Sequence, residues 1–213
     1  MIKFHIISIF PDMFSSVFKY GLLGNAVKHN LIDVNFIDLR KFSDRKDGRI
    51  DDRSYGGNIP GMILKIEPVD KAINSVKTPK SKVILIDAGR TQANTMLIKE
   101  FSKESELILI CGHYEGIDER IASLCDYRVS IGNIIYSGGE IPAICLIDAI
   151  TRFIPGTLGN SDSLLEESYD DGVTSEYVQY TKPVDYKGLK VPDMLLSGDH
   201  KKIQEWRKCF KKH

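Results

Sequence analysis

This chain has no G-x-x-x-x-G-K-[ST] loop, and no G-x-G-x-x-G follows a strand-like run. The first absence excludes a P-loop nucleotidase and the second a standard Rossmann dinucleotide site. "VILIDAGRTQ" (83–92) offers one glycine where a Rossmann-type methyltransferase needs several. There is no CxxC pair among the four cysteines, Cys111, Cys125, Cys145 and Cys209, so no metal knuckle or dithiol redox site is encoded by spacing. Cys111 and Cys145 stand in apolar runs and are expected as buried thiols, which suits a reducing, cytoplasmic setting. No apolar run approaches the roughly 20 residues of a membrane span. The apolar start, "MIKFHIISIFPDMF", is interrupted by His5, Pro11 and Asp12 and lacks a signal peptide's small-residue cleavage site. Charge of one sign is missing as well: 29 basic residues face 29 acidic ones, so the total announces no polyanion binder.

What remains is a 213-residue chain, 42% hydrophobic and 27% charged, an ordinary globular composition. Strand-like runs at 3–10, 31–39, 82–87, 106–111 and 127–132 alternate with helix-like segments at 13–30, 67–77, 95–104 and 143–155. "KVILID" and "ELILIC" are continuously apolar, as parallel strands covered on both faces require. The alternation predicts an α/β fold with a largely parallel sheet over residues 1–158. Residues 159–176, rich in Gly, Ser, Asp and Glu, read as a flexible linker. Residues 177–213 read as a small, shortened helical domain whose last helix is capped by Ser197 or Asp199.

Three glycine-rich stretches need a reason, because glycine costs backbone entropy. They are "DDRSYGGNIPGM" (51–62), "CGHYEGIDER" (111–120) and "SIGNIIYSGGEIP" (130–142). The last two leave the carboxyl ends of strands, the edge where open α/β sheets bind ligands. Bare main chain there presents N–H and C=O groups at close range to a polar ligand such as an adenine edge.

"FPDMF", "DDRSYGG…PGM", "CGHYEGIDERI", "SIGNIIYSGGEIPA…LIDAITRFIPG…LGN" and "LLSGDHKKIQEWR" together resemble the bacterial tRNA (guanine-N1)-methyltransferase family, from the first strand to about Arg207. That family belongs to the SPOUT class, and the resemblance implies a deep trefoil knot, which periodicity would never suggest. It also implies S-adenosylmethionine as methyl donor, tRNA as substrate, and a homodimer with its active site between subunits. The implied donor pocket draws on Leu85, Ile86 and Gly89 from one segment. Gly112, Tyr114, Glu115, Gly116 and Ile117 come from a second. Ser130, Ile131, Gly132, Ile134, Tyr136, Gly138, Gly139 and Pro142 come from a third.

Methylating N1 of guanine requires removal of its hydrogen and a cation near O6, where negative charge develops. By resemblance Arg152 serves O6. The family's base is an aspartate shortly after "LGN"; here that spacing lands on Glu167, with Asp162, Asp170 and Asp171 as alternative carriers. Asp51 matches a residue that reads the neighbouring guanine, and Tyr55 and Gly61 accompany it as substrate-side residues. Glu115 matches the carboxylate implicated in a magnesium dependence, although one carboxylate is a poor all-protein magnesium site. Three departures stand out: His113 where the family has arginine, an extra residue in "YGGNIPGM", and "IDAGR" where the family has P-Q-G. Six basic residues in 40–53 and six in 200–213 supply local positive charge for RNA. The residues after Trp206 are fewer than the family's C-terminal helices, which implies a weaker or differently built tRNA grip. The competing expectation is a tRNA-binding protein of this fold with weakened or lost catalysis.

Overall fold

The computed structural model describes residues 1–56, 61–158 and 177–209. The chain divides into two compact units, Met1–Gly159 and Asn160–His213.

The first unit is built on one sheet. Its strands are β1 (Ile2–Ser8), β2 (Ile32–Asp38), β5 (Ser81–Gln92), β6 (Glu106–Cys111) and β7 (Tyr127–Ser130), in the order β2-β1-β6-β5-β7. Every pairing in this five-stranded sheet is parallel. Two short strands, β3 (Asp51–Asp52) and β4 (Ile63–Leu64), pair antiparallel beside it. The helices are α1 (Gly21–Lys28), α2 (Ile66–Asn74), α3 (Thr95–Phe101) and α4 (Glu140–Arg152).

The apolar runs behave as their pattern requires. Alternate residues of each central strand feed opposite layers: Leu107, Leu109 and Cys111 enter one cluster, Ile108 and Ile110 the other. Ile84 and Ile86 join the first, Val83 and Leu85 the second. A strand buried on both faces has no solvent side on which to carry polar residues.

Three boundaries differ from expectation. The segment 13–30 is not one broken helix: two 3-10 turns, Pro11–Phe14 and Val17–Lys19, precede α1, which starts at Gly21 with φ of 61°. Strand β5 does not stop at Asp87. It pairs with β7 through Ile86, slips register, and pairs again at Thr91 and Gln92, so that residues 87–90 bulge out. Helix α4 begins at Glu140 rather than behind Pro142, because a proline in the first turn forfeits an N–H that has no helical partner anyway.

At the opposite edge of the sheet from the glycine loops, Glu106 gathers donors from three segments. Its Oε1 lies 2.9 Å from His5 Nε2, and its Oε2 accepts from the hydroxyls of Thr78 and Ser81, the latter at 2.8 Å. Burial pushes this carboxyl up, but the hydrogen bonds of Thr78, His5 and Ser81 outweigh it and hold it at about 2, against 4.5. A carboxyl depressed in the folded state contributes stability above its unfolded value, and that contribution is lost as pH falls from 4.5 towards 2. Glu106→Gln, which cannot titrate, is expected to lower Tm at pH 7 and flatten its fall in that window. Thermal melts with equal acid slopes for both proteins would remove Glu106 as the cause.

In the second unit, a hairpin of β8 (Asp185–Tyr186) and β9 (Leu189–Lys190) precedes α5 (Asp193–Leu196) and α6 (His200–Cys209). The unit expected as a small helical domain thus carries a two-stranded hairpin besides its helices. Lys187 and Gly188, at φ of 54° and 84°, make the two-residue turn. Asp199 is the cap of α6, accepting from the Lys202 N–H at 3.2 Å, while Ser197 Oγ accepts from the Asp199 N–H.

Candidate active site

The carboxyl ends of β5, β6 and β7 open into a cleft of about 310 Å³. Its floor is Ile86 with Asp87 and Ala88 from the bulge; one wall is 112–117 and the other 130–139, closed by Pro142 of α4. The two walls touch. Gly139 N–H donates to Gly112 O at 2.7 Å, and His113 pairs with Gly138 as an isolated antiparallel bridge. Glycine is required where they meet: a Cβ on Gly139 would lie 2.7 Å from Cys111 Cα, and one on Gly138 2.3 Å from both Glu140 Oε2 and His113 Nδ1.

Most of the donor residues expected from sequence come together here: Ile86, all five of the 112–117 set, and Ser130, Ile131, Ile134, Tyr136, Gly138, Gly139 and Pro142 of the third. Three are not among the lining. Leu85 is fully buried on the far side of β5, Gly89 lies in the bulged part of β5, and Gly132, though within the second wall's span, does not line the cleft, its N–H donating to Ser130 Oγ at 3.1 Å. Asp87, Ala88, His113, Ile135 and Ser137 line the cleft outside the set that the family resemblance implied. Asp87 and Ala88 close the apolar run "VILI", and the end of a parallel strand was the available signal.

Asp87 is pinned. Arg128 Nε donates to its Oδ2 at 2.9 Å, and the same guanidinium donates to Glu119 at 2.6 Å. The hydrogen bond with Glu119, then Asp87, holds the Arg128 pKa above its usual range. Burial pushes the Tyr114 phenol up, with the charge of Asp51 adding to it. Tyr114 also adopts φ of 64°, rare for a side chain of its size.

The substrate-side residues divide. Segment 61–64 pairs with the cleft wall: Glu115 N–H donates to Met62 O at 3.1 Å and Leu64 N–H to Gly116 O at 3.0 Å. This seats Gly61, at φ of 97°, so close to Glu115 that a Cβ would lie 2.1 Å from its Cγ. Asp51, paired with Leu64, follows onto the same flank and faces Arg49 at 3.7 Å. Tyr55 is fully exposed and not part of the lining. Arg152 ends α4, twelve residues along from Glu140, hence about 18 Å down the axis from the cleft end of the helix. Glu167, Asp162, Asp170 and Asp171 lie outside the described residues. Among the described residues no three His, Cys, Asp or Glu side chains gather as metal ligands.

Of the thiols, Cys111 is buried, and desolvation, then the charge of Glu140, push its pKa well up. Cys145 is exposed, correcting the expectation of a buried thiol. Its apolar neighbours Ala143, Leu146 and Ile147 turn inward, whereas Ile141, Cys145 and Asp148 share an outer stripe of α4. With Ile134 and Ile135, 58% and 86% exposed, that stripe leaves apolar surface beside the cleft. The second unit has its own, larger hollow of about 680 Å³, lined by Tyr177, Tyr180, Leu195, Ile203 and Arg207 among others. It carries none of the glycine main chain that marks the smaller cleft. No helix among the described residues is long and apolar enough to cross a membrane.

A parallel α/β sheet with a glycine-walled cleft at its carboxyl edge is a small-ligand-binding architecture. The family model of tRNA (guanine-1)-methyltransferase TrmD matches residues 2–213, and the chain belongs to that family. Among its relatives, a tRNA (guanine-N(1)-)-methyltransferase of Dictyoglomus turgidum is 45% identical over 208 residues, 98% of this chain and 84% of the relative. Proteins of the same name from Nostoc punctiforme and Lactiplantibacillus plantarum are 43% and 45% identical over 207 and 205 residues. These alignments cover 96% and 95% of this chain, and 86% and 82% of the relatives. The Rossmann-type alternative is thereby set aside.

Proposed function

We propose that this protein transfers a methyl group from S-adenosylmethionine to N1 of the guanosine immediately 3′ to the anticodon, position 37 of tRNA, with preference for a preceding G. The observation that carries the reading is the glycine-walled cleft in a member of this family. The residues fit such a donor. Main chain at Gly112, Gly116, Gly138 and Gly139 suits an adenine edge, and Ile86, Ile117 and Ile131 suit its faces. The 310 Å³ volume lies at the lower end of small-molecule sites.

When bound, the sulfonium supplies the electrophilic methyl group. The chain's own work is positioning and proton handling. Arg152 places its guanidinium at O6 of the guanine, and Glu167 accepts the N1 hydrogen. Asp51 accepts from the N1–H and amino group of the preceding guanine. Glu115 would offer a magnesium ion one carboxylate, leaving most of the ion's coordination to water.

The assembly we propose is a homodimer of knotted first units. Three features support it: apolar Ile134, Ile135 and Ile141 exposed beside the cleft, the contact between the 112–117 and 131–139 walls, and the distance of Arg152 from its own chain's cleft. The Arg152 that serves a given cleft then comes from the partner subunit. Residues 159–176 act as a linker that carries Glu167 to the site. The second unit grips RNA; exposed Lys201 and Lys202, and Arg207 lying 4.6 Å over the Tyr177 ring, support this.

The test is incubation with total tRNA and labelled donor, followed by mapping of the methylated nucleotide. The expected product is N1-methylguanosine directly 3′ of the anticodon. A methyl group elsewhere overturns the target, and tRNA binding without transfer favours the binding-protein reading.

A further inference from the structure

Among the described residues, Glu140 is the only acidic side chain that is buried, at 2% exposure. It stands on the first turn of α4, yet its contacts belong to distant segments. Ser8 Oγ, at the end of β1, donates to Oε1 at 2.8 Å. His113 Nδ1, in the first cleft wall, lies 3.6 Å from Oε2 and has no hydrogen-bond partner, although that atom is shielded from solvent. The imidazole is steered to this place by two edge-on rings, Phe10 and Tyr114, each 5.2 Å away. Gly138 lies against both the imidazole and the carboxylate, so tightly that a Cβ there would come within 2.3 Å of each.

A buried imidazole nitrogen without a hydrogen-bond partner is costly. Glu140 Oε2 is the carboxylate oxygen beside it, a few tenths of an ångström beyond hydrogen-bond distance. Gly138, part of the second cleft wall, flanks the pair, and only its lack of a Cβ leaves the space between them clear. We infer that His113, from the first cleft wall, and Glu140, directly after the second, form a latch against Gly138 that sets the spacing of the two walls, and that His113 is thereby a positioning residue for the methyl donor. The inference rests on the reading of this cleft as the donor site.

The experiment uses the full chain and the variants His113→Ala, His113→Asn and His113→Gln. An asparagine amide nitrogen occupies the place of Nδ1, whereas a glutamine amide nitrogen occupies that of Nε2. Two readouts are taken: hydrogen exchange of the 131–139 amides in the free protein, and affinity for S-adenosylhomocysteine by calorimetry. The expected result is faster exchange and about tenfold weaker binding for the alanine and glutamine variants, the scale of one wall's lost preorganisation. The asparagine variant should stay near the parent, and KM for tRNA should change less than about twofold in all three. Melting temperature serves as the control for folding, and Ser8→Ala, which loosens Glu140 from the other side, should reproduce the exchange effect should His113→Ala fail to fold. Unchanged exchange in the alanine variant overturns the latch, as does an asparagine variant that behaves like alanine. A parent protein that binds no S-adenosylhomocysteine while its exchange responds as expected overturns the donor reading, and the positioning role with it.

Discussion

Gly139→Ala is expected to abolish donor binding, with affinity falling by about 100-fold or more, a loss on the scale of a misplaced binding wall. The cause is contact, not conformation. Gly139 has φ of −80° and ψ of −4°, where alanine is comfortable. Its Cβ, however, would lie 2.7 Å from Cys111 Cα, 2.9 Å from Gly112 N and 3.2 Å from Cys111 C. All three atoms are main chain at the end of β6, a central strand buried on both faces, and none can swing aside as a side-chain tip would. The start of α4 must retreat instead. That breaks the 2.7 Å hydrogen bond from Gly139 to Gly112 and moves both cleft walls. Overpacking of this kind costs about 1–3 kcal/mol of stability, so the fold should survive while the cleft does not. Gly112→Ala is the matched control. Its Cβ would meet nothing nearer than Ile117 Cγ2 at 3.4 Å, an ordinary contact, and binding should fall only slightly. Calorimetry with S-adenosylhomocysteine on both variants, alongside their melts, checks the pair. Similar affinities would mean that the contact between the walls does not shape the site.

Contrasts of this kind separate what sequence discloses from what it hides. The central strands were legible because burial on both faces demands unbroken apolar runs, as "ELILIC" shows. The carboxyl-edge loops were legible because glycines clustered directly after those runs. The bulge at 87–90 was not, since a register slip exists only relative to a partner strand, and β7 lies some forty residues away. Local spacing also misjudged Cys145, because an apolar run around a helix does not say which side faces the sheet. Leu85 shows the same limit in a strand: it neighbours Ile86 in sequence, but alternation sends it to the other face. The Ser8–Glu140–His113 contact joins residues on three elements, two of them 132 positions apart in sequence, and no periodicity could have paired them. The hairpin in the second unit was hidden in "DYKGLK", whose two-residue strands are too short for alternation to register. Arg152 and Asp51 rested on family resemblance alone, and the fold places them on different sides of the problem: Asp51 on the cleft's own flank, Arg152 at the far end of α4.

That placement of Arg152 leads to the second large effect. Arg152→Ala is expected to reduce methyl transfer by about 100- to 1,000-fold, as removal of a preorganised donor to a developing oxyanion does. Donor affinity should be unchanged, because the role proposed for Arg152 is at O6 of the guanine and not at the methyl donor; in its own chain about 18 Å of helix separates it from the cleft. A partner subunit's Arg152 has no such constraint, and the two arrangements differ in a mixing experiment. Gly112→Leu serves as the second variant: Gly112 lines the cleft, its Cβ position is uncrowded, and leucine carbons beyond it would fill space meant for ligand. Each variant alone should be inactive. After subunit exchange at equal concentration, half of the dimers are mixed, and each mixed dimer holds one cleft with an intact lining faced by an intact arginine. Activity should therefore return to about a quarter of the parent's. If Arg152 served its own chain's cleft, every site in the mixture would lack either the arginine or the open lining, and no activity would return. The same mixture with Glu167→Ala in place of Arg152→Ala asks whether the carboxylate crosses with the arginine. Recovery with both variants would mean that one subunit holds the donor while its partner supplies the groups that handle the guanine's charge and proton. Transfer would then require the interface itself, since neither half of the chemistry is complete in one chain.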